Sequence, residues 1–189
     1  MAAGMLLMNS GCARSPVVTY YTMSALAPET SSATADPRGI AVGPVTVPDL
    51  VDRPQLVTRI SANKVNILES HRWAEPLKSE IPRLLAENLA LLMRPARVST
   101  YDQSASRSAE YRVVVDILRF ESAPGEGVMV EALWSVRREA DGMVEKGHSI
   151  AREPADGTGY EALVAAHGRA LATISKDMAR ALTISMSQP

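Results

Sequence analysis

The chain has 189 residues, of which 46% are hydrophobic and only 4% aromatic, with a formal net charge of −1. That length suits one domain with an aliphatic core. The near-neutral balance, with no long run of like charges, gives no bulk electrostatic reason to bind nucleic acid. The single cysteine, Cys12, excludes an intramolecular disulfide and any CxxC zinc or redox site.

Cys12 ends an apolar run, Met1 to Met8, followed by Asn9-Ser10-Gly11. An apolar stretch, then small residues, then Cys is the pattern of a bacterial lipoprotein signal, in which the thiol is acylated and everything upstream is removed. The run is short, no Lys or Arg precedes it, and Asn9 stands where Leu is preferred. The expectation is therefore a start upstream of Met1; the alternative is an ordinary free or buried Cys. No later stretch approaches the roughly 18 apolar residues of a membrane span. Residues 1–16 read as signal remnant and tether, and 17–186 as a single domain.

Val17 to Met23 is β-branched and aromatic and predicts a strand. Ala27 to Arg38 is a loop by its Pro, Ser and Thr content. Ile40 to Val47 predicts a second strand, with Pro44 marking an edge or a bulge. After the turn-rich crossing Pro48 to Pro54, the alternating segments Gln55–Ile60 and Lys64–Leu68 predict a hairpin across Ser61-Ala62-Asn63. A helix opens near Pro76, with Leu77, Ile81, Leu84, Leu85, Asn88, Leu89 and Leu92 as its stripe and Pro95 as its stop. Pro82 either kinks it or delays its regular part to Glu80 or Ile81. Arg97–Tyr101 is a short strand, Asp102–Ala109 a polar loop and Tyr111–Phe120 a strong strand. Ser122–Gly127 turns the chain into Val128–Arg138, which carries Val128, Val130, Ala132, Trp134 and Val136 on one face. Ala140-Asp141-Gly142 turns again into the last strand, Met143–Arg152. Thr158-Gly159-Tyr160-Glu161 fits a capping box for a final helix. Its buried stripe is Tyr160, Leu163, Val164, His167, Leu171, Ile174, Met178 and Leu182, with Lys176 and Arg180 on the wet face. The sum is an α+β domain: a mainly antiparallel sheet with two amphipathic helices packed on one face.

Several blocks carry a resemblance. Ile40 to Val45, then Asp52-Arg53-Pro54-Gln55-Leu56-Val57-Thr58-Arg59, His71-Arg72-Trp73-Ala74-Glu75-Pro76-Leu77 and Leu85-Ala86-Glu87-Asn88-Leu89 resemble the PqiC, or YmbA-like, family of ABC-type transport auxiliary lipoproteins. Tyr20-Tyr21-Thr22, Arg119-Phe120 and Trp134 fit as well, so the likeness runs from about Tyr20 to Leu182. It implies a lipoprotein on the periplasmic side of the outer membrane, anchored through Cys12. It also implies work with MCE-domain (mammalian-cell-entry) tunnel proteins that carry lipid between membranes. Ala13, in place of the Asp that retains lipoproteins in the inner membrane of enteric bacteria, is compatible.

Few residues point to chemistry. His71, His148 and His167 have no i,i+4 pairing and no HExxH, and His167 lies on the buried stripe, as a core histidine would. There is no G-x-S-x-G elbow and no Gly-rich phosphate loop, so the expectation is a non-enzyme with no cofactor and no metal. Asp52, Arg53, Pro54, Gln55, Arg72, Trp73 and Glu75 form the candidate functional surface. The competing structural reading has Arg72 paired with Glu75 or Asp52 and Trp73 covering the core. Met129 and Leu133, opposite Trp134, predict a covered second face, by a helix, a partner or a lipid. The leading expectation is a docking subunit of a lipid transporter, with self-association into a homo-oligomer expected because a tunnel offers several equivalent sites. The alternative is a carrier that holds lipid in its own apolar pocket.

Overall fold

The computed structural model describes residues 17–25, 38–93 and 96–188. Cys12, Ala13, nearly all of the 27–38 loop and Pro95 lie outside them. Strands β1 (Thr19–Tyr21), β4 (Lys64–Trp73) and β3 (Gln55–Ser61) form a small sheet in that order. The larger sheet has the order β5 (Arg97–Thr100), β2 (Gly39–Thr46), β6 (Tyr111–Ala123), β7 (Gly127–Arg138) and β8 (Val144–Glu153). Helices α1 (Leu77–Leu92) and α2 (Tyr160–Ser187) pack on one face of this sheet and against each other, α1 over β2 and β5, α2 over β7 and β8.

The architecture is the expected α+β one, divided into two sheets. The long ladders β3–β4, β6–β7 and β7–β8 are antiparallel, and β1–β4, β2–β5 and β2–β6 are parallel. Parallel neighbours need a crossover, and α1 supplies it between β2 and β5. β2 is an interior strand between β5 and β6, and its Ile40, Ala41 and Val42 are fully buried, as a strand covered on both faces requires. Pro44 lies in a bulge, where the β2–β6 register shifts between Val42 and Val45, and past Val42, the last β2 residue paired with β5. Gly43 there has φ 122° and a Cβ would meet Tyr101 Cβ at 2.9 Å, so only glycine fits.

A second slip decides what the core contains. In β6, Tyr111, Val113, Val115 and Ile117 point inward, and the register then shifts between Ile117 and Arg119. Leu118 is left over and exposed, and the inward phase moves to Phe120 and Ser122. Without the slip, Phe120 would face solvent.

Helix α1 decides where the segment around Pro82 begins, and two further local expectations are corrected. Helix α1 is continuous from Leu77, with Pro82 inside it. The Ser79 and Glu80 amides already donate to the Pro76 carbonyl, so the first turn is closed before Pro82, whose missing N–H leaves only the Lys78 carbonyl without its helical donor. Helix α2 has Gly159 as its N-cap and no side-chain capping bond. Thr158 stands one residue too early and Glu161 falls at the second helical position, so the capping box is not made. The 102–109 segment contains a 3₁₀ turn, Ser104–Ser108, pinned by the Ser106 hydroxyl donating to the Tyr101 carbonyl at 2.7 Å. On the outer face of the larger sheet Leu133 is 44% exposed, so the described residues do not supply the cover expected over it.

Candidate functional site: a tryptophan-floored recess

The two conspicuous blocks meet at one end of the small sheet. Tyr20, Arg72 and Gln55 are register partners across β1, β4 and β3, which places them in one row on the same face. The β3–β4 register jumps between Gln55 and Leu56, whose partners are Arg72 and Leu68, so β4 carries the excess residues Glu69-Ser70-His71. Gln55 Nε2 spans this excess to Glu69 Oε2 at 3.1 Å. The Trp73 amide donates to the Pro54 carbonyl at 2.7 Å, and the Ala74 amide to the Tyr21 carbonyl at 2.8 Å, tying the two blocks and β1 together.

Asp52, Arg53, Pro54, Arg72, Trp73 and Glu75 consequently line one surface recess of about 380 Å³, with Tyr20 as a further wall. Gln55 lies beside it on β3. The Trp73 side chain, on the opposite face from Arg72, is buried and meets Phe120 and His167 edge-on at centroid distances of 6.1 and 6.3 Å. It closes the core, as the structural reading expects.

The ion pairs differ from those expected. Arg72 pairs with neither Glu75 nor Asp52; its Nε donates to the Glu69 carbonyl at 3.1 Å and its Nη2 lies 3.9 Å from Glu69 Oε2. Asp52 takes Lys78 at 2.5 Å, a bond that raises the lysine pKa. Glu75 takes Arg83 at 3.7 Å. Both partners come from α1, because the chain turns from β4 into the helix and lays its first two turns beside the 52–55 crossing. Arg53 has a shielded Nε with no acceptor among the described residues.

Tyr20, 61% exposed, was not legible as a site residue, because its place depends on the parallel pairing of β1 with β4. Glu80 is a second such residue. It is fully buried, with Oε1 accepting from Thr22 Oγ1 at 2.6 Å and from the Met23 amide at 2.7 Å. A carboxylate on the apolar stripe between Leu77 and Leu84 was the available signal.

The histidines serve separate places. His71 Nδ1 is 2.8 Å from the Tyr21 hydroxyl, and its ring lies 4.3 Å from that of Tyr160. His148 Nε2 is 2.8 Å from Glu131 Oε1. His167 is buried, with Nε2 2.8 Å from Ser122 Oγ, and desolvation lowers its pKa to about 3. It is the core histidine the stripe implies. Among the described residues no group of three His, Cys, Asp or Glu could hold a metal ion, and no helix is long and apolar enough to cross a membrane.

Solved structures share the fold. A protein of uncharacterised function superimposes with a TM-score of 0.74 at 19% identity, covering 88% of this chain and 99% of its own. A Xanthomonas campestris protein of the DUF330 family superimposes with a TM-score of 0.67 at 15% identity, covering 85% of this chain and 92% of its own. No curated protein matches the sequence. The ABC-type transport auxiliary lipoprotein component family matches residues 21–179. That span includes both blocks of the recess, the α1 stripe and most of α2, and the chain belongs to this family of auxiliary lipoprotein components of ABC-type transport.

Proposed function

We propose that the chain is a non-catalytic subunit of an intermembrane lipid-transport system, anchored to the periplasmic face of the outer membrane through an acylated Cys12. In this reading it docks the periplasmic end of an MCE-domain tunnel protein there, with Asp52, Arg53, Pro54, Gln55, Arg72, Trp73 and Glu75 as the partner-facing surface. A triacylated cysteine holds a bilayer firmly where a single chain holds it only marginally. Several copies per tunnel are part of the proposal, since a closed ring of equivalent sites suits a symmetric partner.

The observation that carries the reading is the recess itself. Polar groups from three separate segments converge on an exposed concavity whose floor is a fixed aromatic, the kind of surface that anchors a partner. The opposing carrier reading needs an interior space for lipid. The space under the recess is instead filled by Trp73, Phe120 and His167, the last two stacked at 3.8 Å. Five surface recesses among the described residues measure about 280 to 420 Å³ each.

Two measurements test it. The protein, expressed with its genomic upstream sequence, is fractionated beside Cys12→Ala; a lipid-sized mass increment and outer-membrane location, both lost in the variant, are expected. It is then purified from cells holding the MCE-domain protein, which is expected to accompany it. A soluble, unmodified protein carrying stoichiometric phospholipid and no tunnel partner would favour the carrier.

A further inference from the structure

Every charge in the recess except one is answered within the chain. Asp52 is held by Lys78 at 2.5 Å, Glu75 by Arg83 at 3.7 Å and Arg72 by Glu69. Arg53 has no carboxylate and no acceptor among the described residues, although its Nε is shielded from water. The sealed Nε is out of reach of water and ligand alike, so the Nη edge, which has no partner among the described residues and is not sealed, is the part of the guanidinium open to an incoming acceptor. Its planar fork matches a carboxylate in two parallel hydrogen bonds. Beside it stand apolar walls: the exposed Tyr20 ring and the Pro54 and Pro76 rings, over the Trp73 floor.

We infer that this recess takes one carboxylate of a protein partner, from an acidic side chain or a chain end, at Arg53, with an aromatic or aliphatic group of the same segment against Tyr20 and Pro54. The inference rests on the docking reading and gives its partner a chemistry. An anionic bilayer is a poorer match. Headgroup surfaces recruit clusters of about four to eight basic residues, whereas here one uncompensated cation shares the recess with the carboxylates Asp52 and Glu75.

The test uses 3-phenylpropionate and its neutral counterpart 3-phenylpropanamide, titrated into the isotope-labelled full chain. The indole N–H of Trp73 and the Nε–H of Arg53 are followed by NMR, with the Trp134 indole as a remote control. The acid is expected to move both site resonances with millimolar affinity, and the amide to bind roughly tenfold more weakly or worse. Arg53→Gln should abolish the preference. Arg53→Lys, which keeps the charge and loses the fork, should retain part of it, and covers the case of a misfolded Gln variant. Equal response to acid and amide, or an unchanged preference in Arg53→Gln, would overturn the inference. So would Arg53-dependent flotation of the Cys12→Ala chain on phosphatidylglycerol vesicles. Persistent co-purification of the tunnel protein alongside a failed titration would remove this inference alone; loss of both would remove the docking reading as well.

Discussion

The His167 imidazole lies flat on the Phe120 ring, 3.8 Å between centroids and 7° between planes, with Nε2 2.8 Å from Ser122 Oγ. Both partners come from the part of β6 beyond the Leu118 slip, so the strand irregularity is what delivers them to α2. Trp73 meets both rings edge-on, which links the floor of the recess to the packing of the domain. No water reaches the ring, so the charged form is disfavoured and the pKa falls to about 3.

That depression predicts an acid-sensitive fold. An unfolded histidine titrates near 6.5, so between that pH and about 3 the unfolded chain binds a proton that the folded chain does not. The stabilisation from keeping His167 neutral is complete above pH 6.5. It is lost on acidification at about 1.4 kcal/mol per pH unit. Urea unfolding at pH 7, 6 and 5 should show this slope, and His167→Gln should be less stable at pH 7 yet nearly flat from pH 6.5 to 5. Equal slopes for the two proteins would show that His167 is not the titrating group.

The parts of the fold that were legible are those written in local period. Val128, Val130, Ala132 and Val136 alternate and are buried; Leu163, His167, Leu171, Ile174 and Met178 follow helical spacing and are buried. What was not legible depends on neighbours distant in sequence. Pro44 reads as an edge or a bulge, and only the β5 and β6 ladders show that it sits in a bulge beyond the last β5 pair. In the site, the Asp52–Gln55 and Arg72–Glu75 blocks stand out as residues, but their adjacency rests on backbone bonds such as Trp73 to Pro54. The ion pairs followed the helix geometry of Lys78 and Arg83 and not the sequence proximity of Arg72 and Glu75.

Glu80 is the clamp on the chain leading out of β1. Its one carboxylate oxygen accepts from both Thr22 and the Met23 amide inside the core. Glu80→Leu would leave the Met23 amide buried without an acceptor, at a cost of roughly 2–4 kcal/mol for two bonds to a charged group. Urea unfolding should show that loss, and limited proteolysis should show earlier cleavage around residues 17–25. A variant as stable as the parent would mean that water replaces the carboxylate there.

Gly147 is required for space, since a Cβ there would sit 2.1 Å from Trp134 Cζ2 on the neighbouring strand. The indole lies across this glycine, donates from Nε1 to Ser149 Oγ at 3.0 Å, and Ser149 donates to Asp177 Oδ2 at 2.7 Å, a relay from β7 through β8 to α2. Gly147→Ala should expel the indole and break the relay, costing about 1–3 kcal/mol. Tryptophan fluorescence should shift to longer wavelength as Trp134 meets water, and Gly147→Ala in a Trp134→Phe background should show no such shift.

Separating recognition from stability in the recess requires a residue that faces out. Trp73→Ala would leave a core cavity and cost roughly 3–5 kcal/mol, so lost partner binding in that variant would say nothing about contact. Arg72 is on the opposite face of β4, and its pairing with Glu69 is a partly exposed surface one, worth about 0–1 kcal/mol. Arg72→Glu reverses the charge beside Tyr20 while the buried floor remains. Its urea midpoint should stay near that of the parent, and recovery of the tunnel protein in co-purification should fall by roughly tenfold, as for a rim charge that steers a partner. Recovery at the parental level would place the partner surface elsewhere, with the exposed Leu118, Leu133 and Ile150 on the outer face of the larger sheet the next region to substitute.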